Sequence, residues 1–251
     1  ASAGADRADP HPASGHPPVA SDAHADSELR EMDSQSTATL AFQHVYQPGR
    51  SPWTLLLLHG TGGNEHDLVL LGRQLVPQAA LLSPRGKVLE ADMPRFFRRQ
   101  PSGQLDIPDL IERTDELAEF VSAAASRYGR DPRRIVALGF SNGANIAVSL
   151  LLRHPSLLRA AALLRPMLPY EPATPELSGT SVLIAAGEGD PYSSPEQTER
   201  LAQILAEGGA EVTVHTAPSA GHNLSQTDLA QTARWIERLT SPQNSSSPNN
   251  R

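Results

Sequence analysis

Apolar residues in this chain fall into short unbroken runs separated by longer stretches of helical periodicity. Trp53 to Leu58, Ala79 to Ser83, Ile135 to Leu138, Arg159 to Leu164 and Val182 to Ala186 are such runs. Continuous apolar segments of this length predict strands covered on both faces, as in parallel sheets. Thr39 to Tyr46 and Glu211 to Thr216 add two further predicted strands. Between them the periodicity predicts helices over Glu65 to Leu75, Leu110 to Tyr128, the run following Gly143 through Leu152, Pro195 to Glu207, and Thr227 to Leu239. In the second of these, Leu110, Ile111, Leu117, Phe120, Val121 and Ala124 form the apolar face. Alternation of strands and helices predicts an α/β fold, with a doubly wound, mostly parallel sheet.

The ends of the chain lack this pattern. Residues 1–36 are rich in Ala, Asp, Ser, Pro and His, and 241–251 in Ser, Pro and Asn. Segments that bury so little apolar surface cannot offset chain entropy, so both are expected to be disordered tails around one domain at 37–240. His11, His16 and His24 in the first tail are irregularly spaced and read as solvated side chains rather than metal ligands. Inside the domain, Pro84 to Pro108 reads as one long loop leaving a strand at its C-terminal end. Loops of that length are uncommon and often functional.

Chemistry concentrates where Ile135 to Leu138 runs into Gly139-Phe140-Ser141-Asn142-Gly143 and then a helix. A G-x-S-x-G sequence on a strand–turn–helix is a nucleophile elbow: the turn is too sharp for side chains on both flanks, and the serine stands at a helix N-terminus. Two more polar residues follow strand ends, Asp190 in Gly189-Asp190-Pro191 and His222 in Gly221-His222-Asn223. In open α/β sheets, ligands bind outside the carboxyl ends of strands. Ser141, Asp190 and His222 thus form a candidate triad in the order Ser, Asp, His, with His222 as base and Asp190 orienting it. Glu188 is the rival for the acid; Asp190 lies farther past its strand and is preferred. Gly60-Thr61-Gly62-Gly63 lacks the spacing of a nucleotide loop. It reads better as half of an oxyanion hole, with the backbone N–H groups of Thr61 and Asn142 as donors. His59 beside it is expected to be structural. In the long loop, Phe96 and Phe97 either line an acyl pocket or anchor the loop to the core, and the neighbouring arginines either meet an anionic group or are solvated. Arg165, at a strand end, either binds a substrate carboxylate or pairs with a neighbouring acid; the pairing is favoured.

Composition mainly excludes. The 251 residues carry a formal net charge of −7, which argues against nucleic-acid binding and against anionic membranes. No cysteine is present, so disulfides, thiolate metal sites and a cysteine nucleophile are ruled out. No apolar stretch approaches a membrane span, and no signal-peptide pattern is seen. The expected setting is cytoplasmic, with a targeting segment removed ahead of Ala1 as the alternative.

Residues 55–65, 139–147, 186–191 and 220–224 together resemble the phospholipase/carboxylesterase (acyl-protein thioesterase-like) family. Residues 93–99 and 163–169 are similar to its bacterial branch of small hydrolases associated with quinone stress. The resemblance covers about Trp53 to Leu239. It implies an α/β-hydrolase fold, hydrolysis of small acyl esters or thioesters, no cofactor and no metal. By position it supports Ser141, Asp190, His222 and the N–H groups of Thr61 and Asn142. Asn142 departs from the eukaryotic thioesterases, which carry Gln there, and the His-rich N-terminal stretch is not a family part. Only about Arg165 to Thr180 separates two strands where caps enter this fold, so no cap domain is expected. The site should be shallow and suited to small or medium acyl groups. The expectation is a serine carboxylesterase acting on a small-molecule ester, with homodimerisation left open. A thioesterase or lysophospholipase is the enzymatic alternative, and a non-catalytic ligand-binding protein the alternative of another class.

Overall fold

A computed structural model describes residues 40–241. The tails expected at 1–36 and 241–251, apart from Ser241, lie outside these residues, as do His11, His16 and His24. The described chain forms strands β1 (His44–Gln47), β2 (Thr54–Leu58), β3 (Ala80–Pro84), β4 (Val88–Glu90), β5 (Met93–Arg95), β6 (Ile135–Phe140), β7 (Ala160–Leu164), β8 (Ser181–Gly187) and β9 (Glu211–Ala217). Helices are α1 (Val69–Leu75), α2 (Ile107–Arg127), α3 (Asn142–Arg153), α4 (Pro195–Glu207) and α5 (Gln226–Thr240).

The sheet runs β1-β3-β2-β6-β7-β8-β9, parallel throughout except for β1, which pairs antiparallel with β3. Every residue of β2, β3, β7 and β8 is buried, as their unbroken apolar sequences require. Successive side chains point to opposite faces. Leu56, Leu58, Ala137, Leu163 and Ile184 therefore join the core beneath α2, α3 and α4. Their neighbours Leu55, Leu57, Leu138, Leu164 and Leu183 join a second core with Trp235 and Ile236 of α5. Helices cover both faces, which is the doubly wound arrangement of an α/β-hydrolase fold.

Strand order places the site. From β2 the chain steps to β3 on one side, then crosses through α2 to β6 on the other. The carboxyl ends of β2 and β6 thus flank a topological switch point, where the sheet opens a crevice. Between β7 and β8, residues 165–180 contain no helix or strand, so nothing there builds a cap over that crevice.

Three elements differ from the sequence expectation. The first strand begins at His44, five residues later than expected, because only residues 44–47 find partners on β3. The helix expected from Glu65 begins at Val69. Glu65 is buried and accepts from Gln43 Nε2 (3.0 Å) and from Arg85 Nη2 (2.8 Å), and residues 65–68 form turns. The long loop is not featureless: β4 and β5 form an antiparallel hairpin, and Arg99 bridges to Leu105. Its end belongs to α2, where Asp106 caps the Asp109 N–H (3.2 Å) and Pro108 occupies the first turn.

Candidate active site

At the end of β6 the chain turns through Ser141 with φ 52° and ψ −114°. A non-glycine residue at such an angle stores about 1–3 kcal/mol of strain. Hydrogen bonds from Ser141 N–H to Leu164 O and from Asn145 N–H to Ser141 O, both 2.9 Å, hold it there. The flanking glycines are a steric necessity. A Cβ on Gly139 would lie 2.5 Å from Gly143 O, and one on Gly143 would lie 2.0 Å from Leu58 O. The N-terminus of α3 thereby packs directly on the end of β2.

The structure brings Ser141, Asp190 and His222 together. His222 Nε2 lies 2.8 Å from Ser141 Oγ, and His222 Nδ1 lies 3.0 and 3.1 Å from the two Asp190 carboxylate oxygens. Asp190 is buried and also accepts from Tyr192 N–H (2.9 Å), while His222 is partly exposed. The two loops that carry them are laced by Gly189 N–H to Ala220 O (2.9 Å). The imidazole sits between Phe140, at 5.5 Å, and the ring of Tyr192, edge-on at 4.7 Å. Glu188 takes no part; its carboxylate accepts the Ser219 N–H at 3.1 Å.

Thr61 and Asn142 border the same cleft, and one strap braces both. Arg95 Nη1 donates to Thr61 Oγ1 (2.8 Å), Gly62 N–H donates to Pro94 O (2.9 Å), and Phe96 N–H donates to Asn142 Oδ1 (2.7 Å). As the first residue of α3, Asn142 has a backbone N–H without an intrahelical acceptor. His59 stands behind the Thr61 loop, buried, and is structural in its contacts. Its Nε2 accepts from Gly86 N–H (3.0 Å) and its Nδ1 donates to Gly60 O (2.7 Å). Burial lowers its pKa below the ordinary imidazole value of 6.5.

Two expected pocket contributions are corrected. Phe96 and Phe97 are 1% and 0% exposed and belong to the core beneath α2 and α3. They anchor the hairpin rather than line the cleft, whose wall is reached instead by their neighbours Arg95 and Arg99. Arg165 does touch the cleft wall but has no donor to spare for a ligand. Its guanidinium is bound to both Asp228 oxygens (2.6 and 3.2 Å) and to the carbonyls of Ala185, Gly221 and Asn223. Burial alone would raise the pKa of Asp228; Arg165 and the Ser225 donors outweigh it and hold the carboxyl below its ordinary value.

The cleft measures about 390 Å³. Sequence reasoning missed Tyr192, Gln104, Leu105 and Met167 on its wall. Only Tyr192 carried a signal, two residues beyond the acid in the same loop. Arg95 and Arg99 share Glu90, whose two oxygens lie 3.2 Å from Arg95 Nε and 2.5 Å from Arg99 Nη2. Among the described residues no group of three or more His, Asp or Glu side chains is placed to hold a metal ion, and no helix is long and apolar enough to cross a membrane.

A parallel sheet wrapped by helices, with a Ser–His–Asp arrangement at its switch point, defines the class of α/β hydrolases. Within that class, a profile of the phospholipase/carboxylesterase family matches residues 43–240, and the chain belongs to that family. It is 45% identical over 196 residues to the hydrolase MhqD of Bacillus subtilis (strain 168), covering 78% of this chain and 98% of that one. It is 27% identical over 217 residues to acyl-protein thioesterase 1 of Mycosarcoma maydis, covering 74% and 90%. Among solved structures, the Bacillus cereus carboxylesterase superposes with a TM-score of 0.76 at 44% identity, covering 82% of this chain and 98% of its own.

Proposed function

We propose that the protein is a serine carboxylesterase that hydrolyses small or medium acyl esters through an acyl-enzyme. The observation that carries this reading is the continuous relay from Ser141 Oγ through His222 to Asp190. A serine hydroxyl is a weak nucleophile, so His222 Nε2 takes its proton as Oγ attacks the ester carbonyl. The Asp190 carboxylate holds the Nδ1–H tautomer and stabilises the imidazolium. The tetrahedral oxyanion is received by the backbone N–H groups of Thr61 and Asn142, preset at the switch point. The intermediate collapses as His222 returns the proton to the leaving alkoxide, giving alcohol and Ser141 acyl ester. Water, deprotonated by His222, then attacks the acyl carbon, and Oγ leaves with the proton. Thioesters are open to the same steps, and one relative is named a thioesterase.

A fluorophosphonate probe and a p-nitrophenyl ester series from C2 to C12 test this reading. Expected are labelling at Ser141, highest kcat/KM at short to medium chains, and a loss in kcat of about 10⁶ in Ser141→Ala. Folded protein that neither labels nor turns over would make it a binding protein on a hydrolase fold. A maximum at C12 would refute the limit on acyl size, which follows from an uncapped cleft of about 390 Å³.

A further inference from the structure

The cationic side chains on the cleft wall are Arg95, Arg99 and Arg165, and among the described residues no Asp or Glu reaches that wall. This cationic lining occurs in a chain of net charge −7. The three guanidiniums differ in what they have left to offer. Arg165 is fully committed to Asp228 and backbone carbonyls. Arg95 donates from Nε to Phe97 O and from Nη1 to Thr61 Oγ1, and its Nε lies 3.2 Å from Glu90 Oε2 as an ion pair. It is 3% exposed, so burial is what withholds it from a ligand. Arg99 is one-third exposed, and both of its hydrogen bonds go to a single oxygen, Glu90 Oε1. Its Nη1 has no hydrogen bond among the described residues.

Among the described residues, Glu90 is also the only carboxylate that acts electrostatically on either Arg95 or Arg99. Two cations share one anion, so one positive charge stays uncompensated at the cleft wall. A half-buried charge in that state gains from an anionic partner, and a guanidinium edge matches a carboxylate in shape as well as sign. A single excess charge suits a monoanion better than a phosphate dianion.

We propose that the cleft selects esters carrying a second, ionised carboxyl group, with Arg99 as the specificity-determining residue. Arg99 gives up part of its hold on Glu90 to bind the substrate carboxylate, while Glu90 stays paired with the buried Arg95. The proposal rests on the serine-esterase reading above. Hydrogen bonds to charged groups set the expected preference over neutral isosteres at about tenfold to a hundredfold.

The test compares kcat/KM for monoethyl glutarate against ethyl pentanoate, and for 3-acetoxypropanoate against propyl acetate. These pairs place the carboxylate on the acyl and on the alcohol side in turn. A preference for the anionic member of either pair, shrinking as salt rises, is the expected result. In Arg99→Gln the anionic-to-neutral ratio should fall about tenfold or more, and Arg99→Lys should retain part of it. Equal losses on anionic and neutral esters in Arg99→Gln would overturn the proposal, leaving Arg99 as a prop for the hairpin. So would turnover of both pairs without any preference, which leaves the esterase reading intact. If wild type hydrolyses none of the four and Ser141 does not label, it is the esterase reading that has failed. Butanoate, a monoanion, should inhibit neutral-ester hydrolysis more strongly than inorganic phosphate; the reverse order would overturn the choice of carboxylate.

Discussion

Ser141, Asp190 and His222 could be read from the sequence because each sits in a local context that dictates its position. A glycine-flanked serine between an apolar run and a helix can only stand at the sheet edge, and residues just past parallel strands share that edge. Phe96 and Phe97 were not legible in the same way. An aromatic pair in a loop has one appearance whether it faces a cavity or the core, and the choice is made by β4 and β5, three-residue strands too short to announce themselves. Arg165 was legible only as a pair of alternatives, since its partner Asp228 lies 63 residues away. His59 yields a prediction at this scale. Its folded-state pKa lies below 6.5, so the unfolded chain takes up a proton first as pH falls. Its contribution to stability is therefore complete above 6.5 and is lost as pH falls from there toward the folded value. Protonation would also displace the Gly86 N–H from Nε2. In an NMR titration the His59 ring should have its midpoint below pH 6.5; a midpoint at or above that value would contradict the burial argument.

Among the elements, the buried strands were foreseen well, because a strand covered on both faces leaves no polar position to confuse the pattern. Helix starts were foreseen unevenly: α4 and α5 begin within a residue of expectation, whereas α1 and α2 do not. Pro108 reads as the end of a loop, yet the first turn of a helix tolerates proline at no cost in hydrogen bonds. The real start of α2 is marked by Asp106, two residues earlier, whose carboxylate accepts the Asp109 N–H. Asp106→Ala should cost about 1 kcal/mol, which in a chain of this size lowers the melting temperature by roughly 2–4 °C. The check is thermal unfolding of both proteins; an unchanged midpoint would mean that Arg98 and the packing of α2, not the cap, fix that end.

For the whole molecule, the alternation of elements was enough to predict a doubly wound sheet, whereas the long-range ion pairs that tie its parts were hidden. Arg165 and Asp228 join the end of β7 to α5 with both side chains fully buried, and His215 of β9 stands 3.6 Å from the same carboxylate. The Asp228 carboxyl is held below its ordinary value of 3.8. It stabilises the fold fully above that pH and loses this contribution as pH falls through the lower folded value. Asp228→Asn would leave Arg165 buried beside a neutral partner, which typically costs about 3–5 kcal/mol. Chemical denaturation should find the variant weaker near neutrality by that order, with a flatter decline on the acid side. A parallel offset at every pH would show that the charge of Asp228 is not what matters.

The hairpin strap has a consequence for anyone who would reshape the catalyst. Because Arg95 moors the Thr61 turn and the next peptide moors Asn142, the two proposed donors share a single tether and their spacing is not a free variable. Widening the entrance by altering residues 93–97 would misalign both at once. Room for bulkier alcohols or acids is better sought along Gly103 to Leu105, on the wall that neither donor leans upon.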